Sequence, residues 1–120
     1  MLYGLTSNTQ YNLYGKWADM RKGFDGLSGI VRNDLLRSPL SGEVFIFLNK
    51  RRTLIKLLVW DSTGYVIYYK RLEQGTFELP QLLPDAKSIL LSRDTLMLIL
   101  EGIELESVKK RKRFSQKFTL

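Results

Sequence analysis

Residues 43–71 carry three apolar runs separated only by turn signals, and this arrangement limits the possible folds more than any other feature. The first run, residues 43–49, holds Val44, Phe45, Ile46, Phe47 and Leu48, types that favour strands. Lys50-Arg51-Arg52 makes a charged turn, and residues 53–60 follow as a second strand. Asp61-Ser62-Thr63-Gly64 is a strong turn signal, since Asp suits the first position and Gly the last. Residues 65–71 form the third strand, and such short turns predict an antiparallel meander. Leu54, Lys56, Leu58 and Trp60 share one face of the middle strand; Ile55, Leu57 and Val59 share the other. In the third strand, Tyr65, Ile67 and Tyr69 oppose Val66, Tyr68 and Lys70. Both faces of the middle strand are apolar, so each needs cover.

A helix is expected over residues 19–36. Met20, Phe24, Leu27, Val31 and Leu35 recur every three to four residues, as on one helix face. Asp19 is a natural cap for the first-turn amides, and Ser38-Pro39 stop the helix, because proline disfavours helix in the residue before it. Gly23, Gly26 and Gly29 each cost about 0.5–1 kcal/mol relative to alanine there. Their near-regular spacing predicts that another backbone passes very close, with the approach of a partner as the alternative. A second helix opens at Ser92, carries Leu96, Ile99, Leu100 and Ile103 on one face, and is interrupted or ended by Gly102.

The remaining segments are shorter. Residues 1–10 read as irregular, and Tyr11-Asn12-Leu13-Tyr14 as a short strand ended by Gly15. Residues 76–79 read as a short fourth strand before Pro80, and residues 89–91 as an extended piece. The expected fold is α+β: an antiparallel meander of three to five strands packed against one long helix, plus a C-terminal helix. Residues 1–108 form the single domain, and residues 109–120 a basic, mobile tail. One helix on each face of the sheet is the expected cover; a homodimer partner on the second face is the competing account.

The chain contains no histidine and no cysteine, which excludes the usual zinc sites and any Ser-His or Cys-His nucleophile. The absence of cysteine makes the cytoplasm the expected compartment. Residues 1–4 lack the pattern of a secretion signal. Runs such as Leu57-Leu58-Val59-Trp60 are too short to cross a bilayer, so no membrane partner is expected. Carboxylates converging on two magnesium ions would be needed for phosphoryl transfer. Asp19, Asp25, Asp61 and Glu73 are the available acids, but Asp19 is explained as a cap, Asp61 as a turn residue, and Asp25 points to another helix face than Asp19. No catalytic residue, metal site or cofactor is expected, and the chain is read as a non-enzyme.

Charge points instead to a polyanion. The net charge is +7, and Lys109, Lys110, Arg111, Lys112, Arg113 and Lys117 account for most of it; without them thirteen basic residues face twelve acidic ones. Such a run is the simplest electrostatic footprint for phosphate backbones. Within the folded body, Lys50, Arg51 and Arg52 tip a hairpin with Lys56 nearby, Lys70 and Arg71 end the third strand, and Arg21 and Lys22 stand near a helix N-terminus, where the dipole also attracts anions. These cations and the 109–113 run are the candidate DNA contacts. Trp60, Tyr65, Tyr68 and Tyr69 offer stacking surfaces to unpaired bases, core packing being the competing reading for each.

Several landmarks also arrive in a specific order: Tyr14, then Asp19-Met20-Arg21-Lys22-Gly23-Phe24-Asp25-Gly26-Leu27, then Gly42-Glu43-Val44-Phe45-Ile46-Phe47. Asn49-Lys50-Arg51-Arg52, Lys56, Trp60-Asp61-Ser62-Thr63-Gly64, Tyr69-Lys70-Arg71-Leu72-Glu73, Gly75-Thr76-Phe77 and Leu100-Glu101-Gly102-Ile103 follow. Over residues 8–114 this order resembles the small TnpB accessory proteins encoded beside the transposase in the sixty-six class of bacterial insertion sequences. The resemblance implies a non-catalytic protein that assists transposition while a separate, larger partner carries the nuclease. It implies two partners, the DNA of the element's ends and the transposase of the same element. Docking the transposase without touching DNA is the alternative role.

Overall fold

The computed structural model describes residues 8–102 of the chain. Its elements follow in the order β1 (Tyr11–Tyr14), α1 (Phe24–Asn33), β2 (Val44–Leu48), β3 (Leu54–Trp60), β4 (Tyr65–Arg71), β5 (Ser88–Leu91) and α2 (Arg93–Glu101). The architecture is α+β. β2, β3 and β4 form the expected antiparallel meander, with Ile46 opposite Leu57 and Leu58 opposite Ile67. The sheet as a whole is mixed, in the order β4-β3-β2-β1-β5. β1 enters between β2 and β5, parallel to β2 and antiparallel to β5. Its burial gives the reason: all four residues of β1 are buried, which an edge position would not allow. The fourth strand expected at residues 76–79 is absent. Phe77 there is fully buried, and its amide donates to the Arg52 carbonyl at 2.7 Å, so the segment anchors the β2–β3 turn instead of pairing in the sheet.

Each sheet face is covered by one helix. Leu96, Ile99 and Leu100 of α2 pack against Tyr11, Leu13, Val44, Ile46, Ile55 and Leu57. Leu27 and Val31 of α1 pack against Tyr14, Phe45, Phe47 and Leu58 on the other side. Complete burial of a side chain such as Leu27, Val31 or Leu96 contributes about 1.5–3 kcal/mol. α2 thus takes the face that the competing account gave to a dimer partner. It begins as expected, with the Ser92 hydroxyl accepting the Thr95 amide at 3.1 Å, and ends at Gly102 in the left-handed region, φ 76°.

α1 is shorter than the 19–36 span that periodicity predicts. Its N-cap is Gly23, which makes no side-chain capping bond. Asp19 caps nothing in the helix; its carboxylate takes the Arg21 amide at 2.9 Å in a separate turn. At the other end Leu36 adopts φ 55°, and the Arg37 amide reaches back to the Val31 carbonyl at 3.0 Å. The chain thus turns away from the helix through a left-handed leucine, a conformation in which glycine is the usual residue. The close backbone approach expected from the glycines is not there. A Cβ at Gly23 or Gly29 would meet nothing within 4 Å, and one at Gly26 would meet the Lys22 side chain at 2.9 Å. Gly15 is the position that does admit a neighbouring backbone: its Cβ would lie 2.3 Å from the Ala86 carbonyl oxygen, beside β5.

Two polar groups are tied into the layer under α1. Asn12, 2% exposed, donates to the Glu43 carboxylate, which also receives Arg37 at 2.7 Å. The Tyr14 hydroxyl donates to the Asp34 carboxylate just beyond the end of α1. Burial and this bond push the Tyr14 phenol up to about 12, and the same bond holds Asp34 below the usual carboxylate range. A phenol that ionises at higher pH folded than unfolded contributes stability that is complete below pH 10 and disappears as pH rises towards 12. Tyr14→Phe should therefore cost about 1 kcal/mol at neutral pH. The gap between the two proteins should close as pH rises through that window, read by urea unfolding at pH 8 and at about pH 11.5.

Candidate nucleic-acid interface

Strand direction gathers one set of loops at one end of the sheet. Because β1 and β2 run parallel, Tyr14 and Leu48 finish at the same end. β3 starts there, Leu54 pairing with Arg71 at the finish of β4, and β5 starts there at Ser88. Lys16, Trp17, Lys50, Arg51, Arg52, Arg71 and Lys87 all adjoin these strand ends. Glu43 and Asp61 flank the strands at the opposite end.

The β2–β3 turn is held from within. The Asn49 carboxamide oxygen accepts the amides of Thr53 and Leu54, each at 2.9 Å, and its nitrogen donates to the Thr53 hydroxyl at 3.0 Å. Arg52 sits at φ 59°, in the left-handed region, and its amide donates to the Asn49 carbonyl at 3.1 Å. The amides of Arg52, Thr53 and Leu54 are thus satisfied within the turn, and Lys50, Arg51 and Arg52 are all exposed. Among the described residues none of the three has an acidic partner within salt-bridge distance. Three other cations nearby are paired: Lys16 with Asp34 at 3.6 Å, Arg21 with Asp19 at 2.6 Å and Arg71 with Glu73 at 2.9 Å. The Arg21 guanidinium holds the Asp19 carboxyl down at about 2.

Trp17 lies against this turn and is 60% exposed. The sequence reading missed it. The available signal was a large aromatic beside Lys16 in a segment with no periodicity, where no core position claims it. Its backbone is pinned on both sides: the Gly15 amide donates to the Lys87 carbonyl at 2.7 Å and the Ala18 amide to the Leu48 carbonyl at 2.8 Å. A groove of about 310 Å³ runs between residues 17–20 and Asn49, Lys50, Arg51 and Leu54. A second, of about 170 Å³, is lined by Trp17, Lys50, Arg52, Leu79 and Leu82 among others. Leu54 also borders a third hollow with Tyr69 and Arg71.

The remaining sequence candidates divide sharply. Lys56, expected at the surface beside the hairpin, is turned inward and only 7% exposed. Its ammonium donates to the Met20 and Lys22 carbonyls, each at 2.9 Å, and stands 4.5 Å from the centre of the Tyr69 ring. Lys70, on the opposite sheet face, donates to the Leu100 carbonyl at the end of α2, at 2.6 Å. Lys22 is exposed, with its stem lying over Gly26. Residues 109–113 lie outside the described residues. Of the aromatics, Trp60 and Tyr65 pack edge to face at 5.1 Å, and Tyr68 packs on the α2-side core. Tyr69 stays 52% exposed. Among the described residues no three acidic side chains gather where they could hold a metal ion, and no helix is long and apolar enough to cross a membrane.

Residues 9–110 match the protein family described as IS66 Orf2 like protein. The uncharacterized protein y4jC of Sinorhizobium fredii is 31% identical over 93 residues, covering 78% of each chain. The uncharacterized protein y4hO of the same organism is 34% identical over 86 residues, covering 72% of this chain and 73% of its own. No solved structure matches.

Lys56 is the bond between the sheet and the segment leading into α1. Lys56→Met keeps the apolar stem and removes the ammonium that both carbonyls share. A loss of about 1.5–3 kcal/mol in urea unfolding is expected, with faster amide hydrogen exchange over residues 19–23.

Proposed function

The chain belongs to the IS66 Orf2-like family, whose members have a role in insertion-sequence transposition, and from that premise we propose that it is a non-catalytic accessory factor that holds DNA at the cationic end of its sheet. One observation carries the reading. Lys50, Arg51 and Arg52 stand consecutively on a turn fixed by Asn49, exposed and without acidic partners among the described residues. Three neighbouring cations free of carboxylates repel one another, and an approaching phosphate backbone relieves that repulsion while releasing its own counterions.

Around this centre, Lys22 extends the positive surface. Arg21 and Arg71 join it by exchanging exposed ion pairs, which are worth little in water. The 109–113 run adds sequence-independent affinity by its charge. Lys56 and Lys70 take no part, because their ammonium groups serve carbonyls of the fold. The non-catalytic role rests on the acids: Asp19 is paired with Arg21, Glu73 with Arg71, and Asp61 accepts turn amides, so none is placed to share a metal with another. Docking of the transposase is the second reading, supported by the open space over Gly23 and Gly29 on the outer face of α1.

The test is a salt titration. Replacing Lys50, Arg51 and Arg52 together by glutamine should weaken retention on a DNA duplex and reduce the slope of log K against log salt by about 2–3. Thermal melting should stay unchanged, since no core contact is lost. Deleting residues 109–120 should flatten the slope further. Unchanged DNA affinity in the triple variant, together with co-purification of the transposase, would give the place to the second reading.

A further inference from the structure

Trp17 is the feature that the phosphate-holding reading leaves unexplained. Large aromatics bury well over a hundred square ångströms when packed, yet this one takes part in neither core and stands 60% exposed. Its exposure is not that of a loose loop tip. The hydrogen bonds from the flanking Gly15 and Ala18 amides into residues 87 and 48 fix the backbone from which it projects, and Ala18 itself is buried. Both grooves beside the cationic turn are lined by this one ring, Lys50 contributing to both, Arg51 to one and Arg52 to the other. Beyond Leu54 the surface continues to Tyr69 and Arg71. Tyr69 is half exposed and has its ring electrons engaged by the buried Lys56 ammonium.

We infer that this end of the sheet takes single-stranded DNA, with an unpaired base stacked on Trp17, a neighbouring base on Tyr69, and Lys50, Arg51 and Arg52 on the intervening phosphates. The inference rests on the reading of the same turn as the DNA-holding surface and specifies the form of DNA held. A duplex has its base faces stacked on one another and presents only edges and backbone to a protein. A ring standing free among unpaired cations has nothing to stack on in that ligand. Alternation of cations with aromatic platforms is instead the pattern by which proteins follow single strands without reading sequence.

The experiment uses the full chain with Trp60→Phe, so that Trp17 is the only tryptophan. The probes are a twenty-nucleotide oligothymidylate and a twenty-base-pair mixed-sequence duplex at low salt. The single strand should quench Trp17 emission and bind at least about tenfold more tightly than the duplex. Trp17→Ala should weaken binding of the single strand by on the order of tenfold to a hundredfold and leave duplex binding unchanged, with Trp17→Phe restoring most of the loss. Melting temperature controls for folding and should not move, because Trp17 lies outside both cores. Duplex binding equal to single-strand binding, with Trp17→Ala without effect on either, would overturn the inference and leave the cationic turn as a duplex contact. Binding of neither probe would overturn both readings and leave Trp17 to a protein partner.

Discussion

Parallel pairing between β1 and β2 governs the arrangement of the whole molecule. Parallel neighbours cannot be joined by a tight turn, so the chain must cross from one end of the sheet back to the other between Tyr14 and Val44. That crossing contains α1, whose Leu27 and Val31 bury against the sheet face offered by Phe45, Phe47 and Leu58. It also inserts β1 in the interior of the sheet, where its other side pairs with β5 and leads the chain into α2 over the opposite face. Both apolar faces of β3 are closed by helices of the same chain as a consequence of this one pairing.

The same pairing sets the charge distribution. Had β1 run antiparallel to β2, Trp17 would emerge beside Glu43, away from the β2–β3 turn. Parallel pairing puts Lys16 and Trp17 next to Lys50, Arg51 and Arg52, while Glu43 and Asp61 flank the other end of the strands. Three acids that come to the cationic end are held by specific partners: Asp34 by Tyr14 and Lys16, Glu73 by Arg71, Asp19 by Arg21. The turn keeps three consecutive cations without an acidic partner among the described residues, and Asn49 fixes the backbone beneath it.

What could be read from the sequence followed the range of the forces involved. β2, β3 and β4 come within one residue of the runs expected at 43–49, 53–60 and 65–71, since side-chain alternation and turn residues act locally. The Asp61 turn and the Ser92 cap were legible for the same reason. The partner of β1 was not, because four residues carry no record of which strand they will pair with. The end of α1 at Asn33, three residues before the expected Leu36, was missed because no glycine or proline marks it; the left-handed residue that follows is a leucine. The cationic turn was legible as charge. Trp17 was not, since its importance lies in the register that brings residue 17 beside residue 50.

The start of α1 shows how one buried charge can override a local pattern. Met20 and Phe24 continue the apolar spacing of the helix, and local rules extend it back to Asp19. A helix through residues 19–23 would draw the Met20 and Lys22 carbonyls into its own hydrogen bonds. Lys56 would then be left as a buried ammonium without acceptors, at a cost of several kcal/mol. Holding those carbonyls open for Lys56 forgoes only one turn of helix, whose glycine at position 23 is a poor helix former in any case. Stranding the ammonium costs more than losing that turn, so the segment stays out of the helix. Its consequence reaches the surface, because residues 17–20 form the wall of the groove that faces Lys50 and Arg51. A lysine that touches no ligand thus shapes the side of the groove on which Trp17 stands.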